Sequence, residues 1–423
     1  MKNLISEHSI KKIEENRYVS FVFYMVLNIL LLPFFLVFSI IRIFCDIRFV
    51  KLYDMRIGHL AANTDLFLRR LKAGLEPKNA VFIGLASDRP ANQSLFDMFK
   101  REMRIIQLPT WLFTNFVFSS LSSPRSILHI TNIYQSLLFE TNEYFEFNNV
   151  SKNLSFTQSE ERRGLKLLKE MGVPKDRWFV CFHDRDDTYD LKLKSSDRSR
   201  NEFRNCSIEN YLKAAEYIAA SGGYALRMGK DVKKKLHSVK NDRIIDYATR
   251  HRTDFGDVYL PAKCKFFIGC TAGLWFVSEA FDVPVAFANS IPVHTPLRRG
   301  GLYLPKKMWH KKKKRFLTFS EMFKVEYDME VRIRKKKGNI PALYRPLDYY
   351  ENLGLELIEN SAEEILDFTR EMNERIDGTF KITEEDERLQ SKLKSLIIPG
   401  QVICGTPARM GAAFLRQNKN LLK

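Results

Sequence analysis

The sequence has few cysteines, and their spacing is not that of a disulfide framework or a metal site. The six cysteines lie between residues 45 and 404, with no CxxC pair and no other paired spacing. A disulfide framework and a zinc site are therefore not predicted, and the thiols are expected to be reduced in a cytosolic compartment. The chain also lacks an internal repeat and a low-complexity linker, so a repeat array is not expected.

Acidic residues are scarce relative to basic ones, and the net charge is +18. Between Gly301 and Ile340 there are 13 Lys or Arg residues against 4 Asp or Glu residues, including the blocks His310–Phe316 and Arg332–Gly338. Such blocks attract polyanions, either nucleic acid or an anionic lipid surface, and a solvated basic loop is the simpler alternative. We favour an anionic membrane surface and expect no nucleic acid, because of a feature near the N-terminus.

That feature is an uncharged run of 23 residues from Val19 to Ile41. As a helix it is long enough to cross a hydrocarbon core of roughly 30 Å, and it is too long for a cleavable signal peptide. Basic residues at 42, 48, 51 and 56 follow it, which favours a cytoplasmic position for the rest of the chain. The pattern predicts a membrane anchor in residues 1–50. The segment either spans the membrane or forms a helix that is broken near Asn28 and Pro33 and re-enters on the same side. A buried core helix is the alternative.

The remaining chain alternates short apolar strands with amphipathic helices, which is typical of α/β domains with parallel sheets. A length of 423 residues suits two such domains. We expect a first Rossmann-like domain at 51–173 and a second at 174–350. A strand and helices at 351–423 are expected to complete the second domain and to cross back onto the first. In this class of fold, functional loops follow the carboxyl ends of the strands.

Charged residues cluster after one apolar strand in the segment Trp178–Asp190, where His183, Arg185 and Asp186 follow WFVCF. Burying these charges at a strand end is costly unless they meet a charged ligand, and an arginine fork suits a diphosphate. Arg227 ends the next apolar strand, YALRMGK. Because neighbouring parallel strands end at one edge, the two arginines predict an anion clamp. An ordinary surface loop with ion pairs is the alternative.

A glycine-bracketed turn, FIGCTAGLWFVSEAF, joins a later strand to a helix and contains Gly269, Thr271 and Gly273. Backbone N–H groups at such a helix start bind phosphate readily. The same sequence is also compatible with a tight turn that serves only packing. Both interpretations remain open from the sequence.

The first strand of the body is followed by MRIGHLAANTDLF. His59 lies at the mouth of this turn, where a neutral imidazole can take a proton from a hydroxyl, and Asp65 is a reserve base. Arg56, Gly58 and Asn63 surround it and are expected to contact the molecule that bears the hydroxyl. A polar turn that caps the helix is the alternative.

Seven blocks in order across about residues 51–418 resemble a family of bacterial glycosyltransferases from envelope polysaccharide loci. They are RIGHLAANTDLFL, FHDRDDTYDL, RNCSIENYLKAAEYI, RMGK, FIGCTAGLWFVSEAF, GLELIEN with AEEILDF, and ARMGAAFLRQN. The resemblance implies a reaction class, the transfer of a hexosyl or related unit from a nucleotide sugar, and names no substrate.

Two motifs carry narrower resemblances. His183, Arg185 and Asp186, with Arg227 beyond, resemble the donor motif of fucosyltransferase-like GT-B enzymes, in which an arginine contacts the diphosphate. HDRDD stands where those enzymes have an HxRRGD-type motif, so a GDP donor is left open. The turn at His59 resembles the first βα turn of heptosyltransferases, where an acidic base lies, and here a histidine occupies that place.

Together these patterns predict a GT-B enzyme with two Rossmann-like domains that face each other across a cleft. The first domain would receive a lipid-linked glycan or lipopolysaccharide acceptor, and the second would bind the nucleotide sugar as co-substrate without a metal. The expected location is the cytoplasmic side of a bacterial inner membrane.

Two alternatives from other classes are kept. Asp184-Arg185-Asp186 is formally the DxD motif with which GT-A enzymes hold a divalent metal, although the two βα-rich halves argue against that fold. The second alternative is a membrane-tethered basic protein that binds anionic lipid or nucleic acid without catalysis.

Overall fold

The computed structural model describes residues 17–110, 134–135, 137, 139–186, 188, 202–236, 241–335, 345–346 and 348–423. The chain divides into two compact units, Met1–Leu138 and Phe139–Lys423, called the first and second unit below. Each unit contains a parallel sheet together with helices. The α/β class with parallel sheets predicted from the sequence is therefore confirmed.

The first unit contains a four-stranded sheet in the order β3-β2-β1-β4, with every pairing parallel. Its strands are β1 (Asp46–Lys51), β2 (Ala80–Ser87), β3 (Ile105–Leu108) and β4 (Tyr134–Gln135), and its helices are α1 (Arg17–Phe44), α2 (Ile57–Lys72) and α3 (Gln93–Glu102). Helix α3 shows why these segments fold as they do. Asn92 caps it by accepting a hydrogen bond from Leu95 N at 2.9 Å, and Leu95, Phe96 and Phe99 form one buried apolar face.

Helix α1 contains Pro33 and leaves many of its large apolar side chains exposed, among them Ile29 and Ile40. Of the helices within the described ranges, none combines the length and the apolar composition that crossing a bilayer requires. The membrane anchor in residues 1–50 stays a prediction.

The second unit contains a seven-stranded parallel sheet in the order β14-β10-β9-β8-β5-β6-β7 and a small antiparallel sheet in the order β12-β11-β13. Its strands are β5 (Phe179–Phe182), β6 (Tyr224–Arg227), β7 (Ile244–Ile245), β8 (Phe267–Gly269), β9 (Val285–Ser290), β10 (Leu302–Pro305), β11 (Lys307–His310), β12 (Arg315–Phe316), β13 (Leu355–Ile358) and β14 (Arg409–Met410). The strands β5, β8 and β9 are buried along their whole length, as strands covered on both faces must be.

The helices of the second unit are α4 (Tyr144–Asn149), α5 (Gln158–Glu170), α6 (Leu212–Ala220), α7 (Tyr247–Arg250), α8 (Gly256–Lys263), α9 (Trp275–Ala280), α10 (Phe319–Lys335), α11 (Tyr349–Asn352), α12 (Ala362–Ile376), α13 (Glu384–Ser395) and α14 (Ala412–Gln417). The strand order reverses beside β5: β6 and β7 extend the sheet on one side, and β8, β9 and β10 extend it on the other. The carboxyl ends of β5 and β8 therefore flank the topological switch point of the sheet.

The boundary between the units lies earlier in the chain than the sequence predicted, before Phe139 and not at 173/174. Phe156 stacks on Phe281 with ring centroids 5.1 Å apart, and Tyr259 donates a hydrogen bond to Glu161 Oε2 at 3.2 Å. These contacts hold α5 in the second unit. The sequence did not reveal them because the partners are about a hundred residues apart.

The C-terminal segment packs within the second unit. Strand β14 pairs in parallel with β10, and Ala412 N donates to Glu371 Oε2 of α12 at 2.6 Å. That the last helices cross back onto the first domain stays a prediction.

Candidate functional site

A cavity of about 360 Å³ opens at the carboxyl end of β5 in the second unit. It is lined by residues 184–186 after β5, by residues of the segment 202–208, by Lys233 and Lys234 after β6, and by Glu359 after β13. It adjoins the switch point of the sheet, which is the usual ligand position in open α/β sheets. The geometry of the fold and the position of the cavity thus point to the same place.

Three cations, Arg185, Lys233 and Lys234, line this cavity. Asp186 holds the two loops that carry them together: its Oδ1 accepts a hydrogen bond from Thr188 N at 2.9 Å, and its Oδ2 accepts one from Lys233 N at 2.7 Å. The lysines were missed by the sequence analysis, although the run KDVKKK directly after β6 was a visible signal. Asp184, Asp186 and Glu202 line the same cavity, but Asp184 pairs with Arg227 and Asp186 accepts two backbone hydrogen bonds. Cations brought together in a partly enclosed space attract an anionic ligand.

Arg227 is placed differently from Arg185. Its side chain is fully buried, it donates to Asp184 Oδ1 at 3.2 Å, and it lies 3.7 Å from Asp246 Oδ1. Burial raises the pKa of Asp184, and the adjacent Arg227 opposes that rise. The guanidinium is therefore engaged inside the protein between two carboxylates and does not line the cavity. The sequence led us to expect that the two strand-end arginines form a clamp on one surface. In this structure they do not.

His183 joins three strands. Its Nδ1 donates to Met228 O at 3.0 Å, beside β6, and its backbone N donates to Ile268 O of β8 at 3.0 Å. Burial lowers the pKa of the imidazole. The ring thus fixes the loop that presents Arg185 but does not itself line the cavity.

The turn from Gly269 to Gly273 follows β8 at the switch point. The Thr271 hydroxyl donates to Asn289 O at 3.3 Å and accepts from Ile291 N at 3.1 Å, which ties the turn to the end of β9. A Cβ atom on Gly269 would lie 3.2 Å from Trp275 Cβ, so the turn is also tight. These contacts favour a packing role for the side chains of the turn, and its residues do not line the cavity. Phosphate binding by its backbone stays a prediction.

Lys306 is a buried cation beneath the cavity wall. Its side chain is 3% exposed, and Nζ donates to Asn205 O at 2.6 Å and to Phe203 O at 3.2 Å. Burial lowers the pKa of this ammonium group. It secures the segment 202–208, and no local pattern in the sequence distinguished it from other lysines.

In the first unit, the turn after β1 leaves His59 exposed and fixes its tautomer. Asn63 Nδ2 donates to Leu137 O at 2.7 Å, which directs Asn63 Oδ1 to His59 Nδ1, 3.3 Å away. The amide oxygen only accepts hydrogen bonds, so in the neutral imidazole Nδ1 carries the proton and the lone pair lies on Nε2. This is the state that a general base needs. Arg56 directly precedes α2 and Gly58 is buried in its first turn, so both lie beside His59. Acceptor binding by Arg56, Gly58 and Asn63 stays a prediction.

The carboxylates near this turn are directed inward. Asp65, the reserve base of the sequence analysis, is fully buried and forms an ion pair with Arg69 at 2.7 Å. Asp54 was not singled out from the sequence, and its Oδ2 accepts from Ser87 N at 2.7 Å and from Ser87 Oγ at 2.6 Å. Burial raises the pKa of Asp54. His59 is therefore the more accessible base of the two that the sequence proposed.

No described protein family and no curated protein matches this sequence. Three solved structures are similar in fold. A glycosyltransferase of family 9 from Veillonella parvula is 10% identical, covering 77% of this chain and 96% of its own, with a TM-score of 0.46. ADP-heptose lipopolysaccharide heptosyltransferase II of E. coli is 12% identical, covering 61% and 90%, with a TM-score of 0.35. The E. coli heptosyltransferase WaaC with ADP is 11% identical, covering 61% and 91%, with a TM-score of 0.32.

Likenesses this distant assign no function to the chain. The fucosyltransferase-like donor motif stays a prediction.

Proposed function

We propose that the chain is a nucleotide-sugar-dependent glycosyltransferase of the GT-B type. One observation carries this proposal: a cavity beside the switch point of the second unit's parallel sheet, at the carboxyl end of β5, is lined by Arg185, Lys233 and Lys234. In such sheets this crevice is the usual site for nucleotides. The second unit would then be the donor domain.

The cations suit a diphosphate leaving group. As the bond to the sugar breaks, negative charge grows on the diphosphate, and groups already in place stabilise it without reorganising. Asp186 contributes indirectly, because its Oδ2 accepts a hydrogen bond from Lys233 N and so positions the lysine loop. Arg227 contributes by holding Asp184. Side chains would thus do the work that a metal does in GT-A enzymes.

In the first unit, His59 would be the general base. With Nδ1 protonated and held by Asn63, Nε2 can take the proton of an acceptor hydroxyl as that oxygen attacks the sugar. The acceptor we propose is a lipid-linked glycan or lipopolysaccharide at a bacterial inner membrane, with the body of the protein on the cytoplasmic side.

Two surface features support association with an anionic membrane. Helix α1 exposes apolar side chains, and Lys311–Lys314 are exposed at the tip between β11 and β12. Each lysine close to an anionic surface contributes about 1 kcal/mol to binding. Replacing Lys311–Lys314 by glutamine should weaken the salt-sensitive part of binding to phosphatidylglycerol vesicles. Unchanged binding at low salt would show that these lysines have another role.

The test of the function is donor binding. Nucleotide sugars should be screened by thermal shift, including ADP-heptose, which the name of the E. coli heptosyltransferase II contains. A donor at 100 times its Kd stabilises the folded protein by about 2.7 kcal/mol. Arg185→Ala should abolish the shift, whereas Arg250→Ala, an exposed arginine remote from the cavity lining, should keep it.

The absence of a shift with any nucleotide sugar or nucleoside diphosphate would contradict the proposal. Nucleic-acid binding with a steep salt dependence would then favour the basic binding protein.

A further inference from the structure

Among the described residues that line the cavity, Glu359 is one of four acidic side chains, with Asp184, Asp186 and Glu202, beside three cations. It directly follows β13, and its Oε2 accepts hydrogen bonds from Ser207 N at 2.9 Å and from Asn210 Nδ2 at 3.0 Å. Within the part of the chain that the structure describes, its other oxygen, Oε1, accepts no hydrogen bond, and the carboxylate forms no ion pair. One oxygen is thus fixed by two donors while the other is available to the cavity.

The backbone that carries Glu359 is also held firmly. The next residue, Asn360, accepts a hydrogen bond from Asn289 N at 2.7 Å and donates its own N–H to Asn289 Oδ1 at 2.8 Å. Its Nδ2 donates to Pro305 O at 3.0 Å, and Ser361 then caps α12. Both asparagines are buried. Glu359 therefore starts from a rigid strand–helix junction, and binding a ligand to it would require little ordering.

A carboxylate in this position favours ligand groups that donate hydrogen bonds. It accepts hydrogen bonds and donates none, so it repels phosphate oxygens and attracts hydroxyl hydrogens. Lys233, Lys234 and Arg185 meanwhile favour an anionic group elsewhere in the same cavity. The lining therefore fits a ligand with a diphosphate at one end and a hydroxyl-bearing ring at the other.

We infer that Glu359 is a specificity-determining residue that accepts a hydrogen bond from a sugar hydroxyl of the diphosphate-linked ligand. The inference rests on the proposed function and deepens it. The hydroxyl belongs either to the ribose of the nucleoside or to the transferred sugar, and the two sources share the same chemistry. A site built around a hydrogen bond to a hydroxyl rejects analogues that lack it far more strongly than an apolar pocket would.

Glu359→Gln isolates this role. The amide oxygen can keep the hydrogen bonds from Ser207 and Asn210, while an NH2 group replaces the acceptor Oε1 in the cavity. Glu356→Gln is the matched control, because Glu356 is an exposed glutamate on β13 outside the cavity lining.

The experiment is calorimetric titration of the full chain with inorganic pyrophosphate, ADP, UDP, GDP, their 2′-deoxy forms, and the nucleotide sugar that stabilises the wild type most. For Glu359→Gln, pyrophosphate affinity should stay the same or rise, because a charge that repels phosphate is removed. Nucleotide-sugar affinity should fall roughly 10- to 100-fold, the range for one hydrogen bond to a charged group. If Glu359→Gln already weakens the binding of the nucleoside diphosphate but not that of its 2′-deoxy form, the hydroxyl belongs to the ribose. A loss confined to the nucleotide sugar assigns it to the transferred sugar.

Equal losses for pyrophosphate and nucleotide sugar, or none for either, would overturn the role of Glu359 and leave the proposed function standing. A wild type that binds none of these compounds would overturn the proposed function itself, and this inference with it.

Discussion

The carboxyl edges of the two parallel sheets use similar residues in opposite ways. In the first unit, the carboxylates Asp54 and Asp65 are buried and engaged by Ser87 and Arg69, and His59 is exposed. In the second unit, three cations line a cavity. The first edge presents a proton acceptor and the second presents positive charge. The difference suits an acceptor site and a donor site.

The same contrast appears between two arginines of the second unit. Arg185 and Arg227 both lie at the end of an apolar strand, yet Arg185 lines the cavity and Arg227 is enclosed by Asp184 and Asp246. The two arginines therefore differ in their position relative to the cavity. The predictions below test this distinction.

The largest effect is expected for Arg227→Ala. The substitution leaves Asp184 and Asp246 buried without their cation, and breaking a buried pair in this way costs about 3–5 kcal/mol. Urea denaturation should show that loss, while Arg185→Ala, at a half-buried position, should remain within about 1 kcal/mol of the wild type. If Arg227→Ala were as stable as the wild type and instead lost nucleotide binding, Arg227 would be a ligand group, as the sequence first suggested.

For the first unit, His59→Gln should lower turnover by roughly 10²-fold or more, the scale of general-base catalysis. Donor affinity should not change. Asp65→Asn should act mainly on stability, because it removes a partner of the buried Arg69. If the turnover of His59→Gln were within threefold of the wild type, His59 would not be the general base.

A smaller effect is expected for Asp54. Burial raises the pKa of this carboxyl above its ordinary value, so ionising it costs more in the folded than in the unfolded state. Its contribution to stability is complete below the unfolded pKa and is lost as the pH rises through the folded pKa. The stability of Asp54→Asn relative to the wild type should therefore improve between pH 3.5 and pH 8, by about 1 kcal/mol. No change across that range would mean that Asp54 ionises normally.

No effect is expected from EDTA. Asp184 is paired with Arg227, and both oxygens of Asp186 accept backbone hydrogen bonds, so neither is arranged to hold a metal on a diphosphate. Turnover should stay within about twofold of the untreated enzyme. Complete loss with rescue by Mn²⁺ or Mg²⁺ would restore the DxD interpretation and weaken the contrast between the two edges.

Much of the fold could be predicted from the sequence. Apolar runs such as FVCF predicted buried parallel strands, and the letters around Gly269 predicted a strand, a turn and a helix, which the structure contains. The domain boundary was misplaced because Phe156 packs on Phe281, a contact that no local pattern encodes. Within the site, Arg185 and Asp186 were anticipated at the cavity, whereas Lys233, Lys234 and Glu359 were not.

By itself the sequence determined the α/β class and the strand ends at which polar residues accumulate, because strand periodicity and turn formation are local properties. Tertiary structure alone decided which of those polar residues are available to a ligand. The availability of a charge depends on partners distant along the chain: Asp184 for Arg227, Lys233 N for Asp186, and Ser207 for Glu359. Only folding brings such partners within hydrogen-bonding distance.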